Sequence, residues 1–315
     1  MKIAVLDSAT LGNDIDLSLF NDLGEVNIFD VSPRETISDR IAEADVCIIN
    51  KVKLDSSLLK DAKNLKLICV AATGYDNIDT RYCKENGIAV CNVAGYSANS
   101  VSQLTLAMVL SASVNLNAFS ESVSNGSYSA GSVQNILTPV YQELCGKTWG
   151  IVGYGGIGRK VGAVASALGC KVIVNKRTPV DDAECVSLEE LLNRSDIVSV
   201  HVPLTEQTRA MIGEEELAQM KKGAFLVNVA RGAVLDEKAV ANAVINGHLG
   251  FFGCDVYSTE PMPVDHPFDK IKALPNVCLT PHMAWGAYES RVRCMNEIKL
   301  NIISYLNGET RNRIV

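Results

Sequence analysis

Trp149-Gly-Ile-Val-Gly153-Tyr-Gly155-Gly-Ile-Gly158-Arg159, running on to Lys171-Val-Ile-Val-Asn-Lys-Arg177, decides the fold. Trp149 to Val152 is a short apolar run that reads as a strand, and Gly153, Gly155 and Gly158 follow at G-x-G-x-x-G spacing. Behind them Ile157, Val161, Val164, Ala165 and Leu168 recur at helical intervals. Gly169 suits the left-handed residue that ends such a helix, and Lys171 to Val174 reads as a second strand. Each glycine has a steric reason: the first makes the tight turn, the second lets backbone approach a pyrophosphate, and the third packs helix against strand. The helix N-terminus then offers N–H groups and a positive dipole end to phosphates. A glycine-rich turn that binds nothing is the alternative, and the flanking strands and helix weigh against it. A dinucleotide is therefore expected on Gly153, Gly155, Gly156, Ile157 and Gly158.

The end of the second strand bears on which dinucleotide. An NAD-binding unit usually carries an Asp or Glu about 20 residues on, accepting from the adenosine ribose. Here Asn175-Lys176-Arg177-Thr178 occupies that place and no carboxylate comes before Asp181. A 2′-phosphate would meet two cations there, so NADP is favoured; an exposed basic turn with NAD bound is the alternative.

Working outward, 315 residues with 47% hydrophobic content suffice for two domains. A net charge of -7 weighs against a nucleic-acid or membrane-surface partner. Met1 to Asp7 reads as a first strand, because Asp7 interrupts any signal-like apolar run. The ten cysteines are scattered with no C-x-x-C pair, which reads as reduced thiols in a cytoplasmic protein and no metal site. The Asn125 and Asn193 sequons mean little without secretion.

The first hundred residues alternate strand and helix, with strands expected at Ile3–Leu6, Val26–Phe29, Val46–Ile49, Leu67–Val70 and Ile88–Cys91. Ser32-Pro33-Arg34-Glu35 reads as an N-cap serine with a capping-box glutamate, and Ser100 to Gln103 as another, opening a long helix. From Asn117 to Thr138 the Ser, Asn and Gly content reads as an irregular arm of the kind that reaches a second subunit, a mobile loop being the alternative. After Lys147 strands and helices alternate again, and a closing helix from Tyr288 to Leu306 could return to the first domain.

In an open parallel sheet, ligands gather beyond the carboxyl ends of the strands. His201 and Pro203, Asn228 to Arg231, Asp255 with Glu260, and Pro281-His282 stand there. Of four histidines, His248 sits in an Asn-Gly turn, His266 in a polar loop with nothing apolar around it, and His201 before a proline where it would line the cofactor. His282 follows a buried strand, with Glu260 as a carboxylate to orient it, and is the expected general acid–base. Arg231 would clamp a substrate carboxylate.

These motifs resemble the D-isomer-specific 2-hydroxyacid dehydrogenase family over essentially the whole chain. The resemblance rests on Ala71-Ala-Thr-Gly-Tyr-Asp-Asn-Ile-Asp79, the glycine stretch, His201-Val-Pro-Leu-Thr-Glu-Gln-Thr208, Asn228-Val-Ala-Arg-Gly232, Asp255 to Pro261 and Pro281-His-Met-Ala-Trp285. It implies two doubly wound parallel-sheet α/β domains with a cleft between them: a flavodoxin-like substrate domain (1–98 plus 287–315) and a Rossmann NAD(P)-binding domain (99–286) with a dimerisation arm at about 117–145. It further implies that Arg231 binds the substrate carboxylate and carbonyl, and that His282, paired with Glu260, gives the carbonyl oxygen its proton. Thr73, Gly74 and Tyr75 would supply backbone N–H groups to the substrate. Asn175, Lys176, Arg177, His201, Val202, Pro203, Thr208, Val229, Ala230 and Asp255 would line the cofactor. Within the family, Ala-Thr-Gly-Tyr-Asp-Asn and His-Met-Ala-Trp look most like glycerate dehydrogenases and hydroxypyruvate/glyoxylate reductases, and Lys176 stands where NAD-using relatives carry Asp. A homodimer reducing a small 2-keto acid is the expectation. Reduction of pyruvate or larger keto acids such as phenylpyruvate, and a dinucleotide-sensing corepressor on the same scaffold, are the alternatives.

Overall fold

Runs of β-branched and other apolar residues build the central strands of the first sheet, and the edge strand Glu25–Ile28 is largely exposed. Its strands are β1 (Lys2–Val5), β2 (Glu25–Ile28), β3 (Val46–Ile49), β4 (Leu67–Val70) and β5 (Ala89–Cys91), all parallel, in the order β2-β1-β3-β4-β5. Helices α1 (Arg34–Ile41), α2 (Ser56–Leu59) and α3 (Thr80–Glu85) make the crossovers. The order 2-1-3-4-5 is the flavodoxin-like doubly wound topology. Alternation within strands splits the core: Ile49, Ile68 and Val70 pack on one face, and Ile48, Leu67 and Cys69 on the other. The computed structural model describes residues 1–315, and this sheet belongs to a unit of Met1–Ser97 with Trp285–Val315.

Ala98–Ala284 forms the second unit. It begins with α4 (Ala98–Ser113) and α5 (Leu116–Ser124), and continues through β6 (Thr148–Val152), α6 (Gly156–Ala167), β7 (Lys171–Asn175), β8 (Glu184–Cys185), α7 (Leu188–Arg194) and β9 (Ile197–Val200). Then come α8 (Glu214–Gln219), β10 (Ala224–Asn228), α9 (Glu237–Ile245), β11 (Leu249–Cys254) and β12 (Val277–Leu279). The seven parallel strands lie in the order β12-β11-β10-β9-β6-β7-β8. Numbered from β6, this is the Rossmann order 3-2-1-4-5-6 with one strand added, and its switch point falls between β6 and β9.

The closing helix α10 (Tyr288–Leu306) belongs to the first unit, where Cys294, Met295, Ile298 and Ile302 enter the core. Beyond it the chain runs antiparallel to β5: Ile314 donates its N–H to Val90 O at 2.7 Å, and Val90 N–H to Val315 O at 3.2 Å.

Three local readings are corrected. Ser32 does not cap α1; its hydroxyl donates to Leu6 O at 2.5 Å and accepts from Arg40, so the helix starts after Pro33 without a side-chain cap. α4 opens at Ala98, two residues before Ser100. Residues 117–124 are not irregular but lie in α5, where Leu116, Phe119 and Val123 recur at helical spacing that the Ser and Asn content conceals. No α5 residue is buried within the chain.

All ten cysteines are free thiols. Burial pushes Cys47, Cys69, Cys254 and Cys294 well above the usual thiol range. No helix is long and apolar enough to cross a membrane.

Candidate active site

The glycine loop joins β6 to α6. Gly153 has φ +96°, and a Cβ there would lie 2.8 Å from the His201 carbonyl, so only glycine fits. Gly158 is equally confined, since its Cβ would lie 2.3 Å from Gly153 O. Gly155 and Gly156 differ: Cβ atoms there would project into open space. Gly155 is the N-cap of α6 and supplies no side-chain cap for the helix's first N–H groups. This cradle fits a pyrophosphate, and the group it would hold is a dinucleotide.

Beyond β7, Lys176 is half-buried and Arg177 exposed. The Asn175 amide turns back to Val186 O at 3.1 Å, bracing the strand end. Asp182, one of the next carboxylates, is engaged by Arg159, whose guanidinium also stacks 4.8 Å from the Tyr154 ring. At the end of β9, Trp149 donates to the Ser199 hydroxyl, which lies 3.0 Å from His201 Nε2. Burial pushes His201 down to about 3, which keeps it neutral and unsuited to proton exchange near neutrality. Val202 packs against Gly153, and Thr208 donates its hydroxyl to Pro203 O at 2.7 Å, closing the following loop. Val229 and Ala230 are buried.

Three successive strands deliver the chemistry. After β10, fully buried Asn228 clips the turn by donating to Arg231 O at 2.9 Å and accepting from Ala230 N–H at 3.0 Å. The half-buried Arg231 is presented in extended backbone. After β11, Asp255 accepts from the Thr280 hydroxyl at 2.6 Å and from the Met283 and Ala284 N–H groups at 2.9 Å each. Burial nevertheless raises Asp255 above the usual carboxylate range, opposed by these hydrogen bonds. Asp255 thus holds the turn after β12, in which His282 adopts a left-handed φ of +53°. Left-handed backbone at a non-glycine residue costs on the order of 1–3 kcal/mol and gathers at functional sites.

His282 Nδ1 lies 2.6 Å from Glu260 Oε2. The other carboxylate oxygen accepts the Tyr257 N–H at 3.0 Å. A carboxylate facing Nδ1 places the ring proton there in the neutral form, so Nε2 is the basic nitrogen. Thr73, Gly74 and Tyr75 belong to the other unit, in the loop after β4, where Thr73 is pinned to Val93 O at 2.9 Å and Tyr75 is exposed.

Two groups escaped the sequence reading. Asn228 looks like one more polar residue in a motif, and only its full burial reveals a clip. His266 is not in a polar surrounding: it is 5% exposed, with its ring 4.9 Å from Phe268 and 5.8 Å from Tyr257. Tyr257 approaches through the fold, whereas Phe268 stands two residues on in the chain and was a signal the sequence offered.

Residues 106–284 match the NAD-binding domain of D-isomer specific 2-hydroxyacid dehydrogenases. A hydroxypyruvate reductase of Blautia hydrogenotrophica is 33% identical, with 99% of each chain covered. Among solved structures, an acyclic imino acid reductase in complex with NADPH and D-Arg superposes at TM-score 0.89 and 30% identity over 100% of both chains. D-lactate dehydrogenase from Aquifex aeolicus, complexed with NAD and lactic acid, superposes at 0.85 and 29% identity, over 98% of this chain and 96% of that one.

Proposed function

The chain belongs to the D-isomer-specific 2-hydroxyacid dehydrogenase family, and on that premise we propose that it reduces hydroxypyruvate or glyoxylate to the 2-hydroxyacid with NADPH in preference to NADH. Membership makes it an NAD(P)-dependent oxidoreductase of 2-keto and 2-hydroxy acids. The single observation that carries the reading is the 2.6 Å His282–Glu260 contact at the end of a Rossmann sheet whose first loop fits a dinucleotide.

When bound, the reduced nicotinamide supplies hydride to the carbonyl carbon. Arg231 holds the substrate carboxylate and draws charge toward the carbonyl oxygen. His282 delivers its proton from Nε2 to that oxygen, so the keto acid gains hydride and proton and leaves as the alcohol. Glu260 balances the imidazolium charge and fixes the ring, while Asp255 holds the turn that presents it. Thr73, Gly74 and Tyr75 are the proposed N–H donors to the substrate, whose proposed domain is residues 1–98 with 287–315; residues 99–286 are the proposed dinucleotide domain.

Lys176 and Arg177 are the proposed partners of a 2′-phosphate; no acid precedes Asp181, and Asp182 is taken by Arg159. Lys176→Asp is expected to weaken NADPH about tenfold while leaving NADH nearly unchanged. Equal effects on both would remove the preference. The hydroxypyruvate reductase relative supports a short substrate. A homodimer in the cytoplasm is the proposed state, supported by the exposed Leu116, Val123, Val133, Leu137 and Val140 along one stretch of chain. Light scattering at micromolar concentration tests the dimer.

Initial rates of NADPH and NADH oxidation with hydroxypyruvate, glyoxylate, pyruvate and phenylpyruvate test the whole reading. Preference for phenylpyruvate would overturn the substrate. Binding of NADPH without turnover of any keto acid would overturn the reaction and favour a sensor.

A further inference from the structure

A second histidine–carboxylate pair lies in the same unit and takes no part in the scheme above. Glu237, the first residue of α9, and His266, ahead of a 3-10 turn at Pro267–Lys270, are both buried. His266 Nε2 stands 2.9 Å from Glu237 Oε2, and His266 Nδ1 accepts the Phe268 N–H at 3.1 Å. Since Nδ1 accepts, the neutral ring carries its proton on Nε2 and donates to the carboxylate.

The rest of that carboxylate is spent on the loop that bears Glu260. Glu237 Oε1 accepts the Ser258 N–H at 2.7 Å, and Oε2 accepts the Ser258 hydroxyl at 2.5 Å. On the other side Gly232, next to Arg231, lies so close that a Cβ would meet Tyr257 C at 2.0 Å and Ser258 N at 2.2 Å. The Tyr257–Ser258 peptide is thus gripped from two directions. The adjoining Tyr257 N–H donates to Glu260, whose other oxygen holds His282.

We propose that Glu237 and His266 are positioning residues: they fix the Tyr257–Ser258 backbone and through it the bearing of the carboxylate that holds His282. The proposal rests on the His282–Glu260 reading above. An apolar pair of equal volume would fill the space but accept nothing from Ser258. A lone buried carboxylate would be costly, and here three donors and the start of α9 compensate it. His266 therefore keeps Glu237 aimed, and Glu237 converts that aim into a fixed loop.

Glu237→Gln and His266→Asn in the full chain test this. Gln retains an acceptor for Ser258 but sets an amide N–H against His266 Nε2–H. Asn keeps a capping acceptor for Phe268 and removes the ring donor. For each variant, kcat with hydroxypyruvate is expected to fall about tenfold per folded molecule, from a small misplacement of Glu260. KM for NADPH should change less than about twofold. In a Glu260→Gln background the same substitutions should cost less than about twofold, because the link is already cut. Equal losses in both backgrounds would overturn the proposal. Should Glu237→Gln not fold, His266→Asn decides by the same cycle.

A second readout needs no turnover. The 2.6 Å His282–Glu260 bond should give a far-downfield Nδ1 proton by NMR, absent in Glu260→Gln and broadened in Glu237→Gln and His266→Asn. An unmoved, sharp resonance in both brace variants would overturn the proposal. Wild-type protein that reduces no keto acid would instead refute the reaction, and the resonance would still report on the brace.

Discussion

The two histidine–carboxylate pairs of the dinucleotide unit are the same chemistry put to opposite uses. His266 and Glu237 have side chains 3% and 9% exposed, and each of the histidine's nitrogens has a partner within the unit. His282 and Glu260 are 22% and 31% exposed, and the histidine sits in left-handed backbone. Enclosure makes the first pair a fixed part of the scaffold. Partial exposure and strain leave the second able to meet a reactant. A histidine beside a carboxylate therefore says little about function until the exposure of the pair is known.

The largest expected effect breaks the comparison at its reactive end. His282→Ala should lower kcat by roughly 10²–10⁴-fold with NADPH affinity nearly unchanged, measured by steady-state rates and fluorescence titration. Full turnover in that variant would erase the distinction between the pairs. The enclosed pair should dominate stability instead. Glu237→Ala is expected to cost about 3 kcal/mol or more in urea unfolding, because buried donors lose their acceptor. Glu260→Ala should cost within about 1 kcal/mol. A reversed ranking would mean that exposure does not separate the two roles.

Gly232→Ala strikes the strip of backbone that the pairs share. The added methyl would press on Tyr257 and Ser258, costing about 1–3 kcal/mol of stability and lowering kcat with it. A third histidine gives an effect that appears only with pH. Burial depresses His201 to about 3, so between that value and its unfolded value near 6.5 the unfolded chain binds the extra proton. Its contribution to stability is complete above about pH 6.5 and is lost as pH falls through that window. His201→Gln should therefore lose about 1–2 kcal/mol less than wild type on going from pH 7 to pH 5, as read by denaturant midpoints.

Much of this was legible beforehand because it depends on short-range pattern. Buried parallel strands are unbroken apolar runs, and the glycine loop declares its three steric demands in six residues. The strand-end rule put Arg231, Glu260 and His282 at neighbouring positions without coordinates. What stayed hidden depends on partners distant in sequence. Ser32 has the look of a helix cap, but Leu6 and Arg40 compete for its hydroxyl. α5 was obscured because its Ser and Asn residues outweigh three apolar ones in composition, though not in spacing. His266 seemed polar because of Asp265, although Phe268 stands two residues on; Tyr257 and Glu237 enclose it from other parts of the chain.

The antiparallel run of residues 313–315 along β5 has a practical consequence. A parallel sheet otherwise ends in a row of unsatisfied amides and carbonyls, a template for a neighbouring chain, and this short segment occupies part of that row. Removing those three residues would uncover it. Such preparations should precipitate through strand addition while their catalytic residues remain intact.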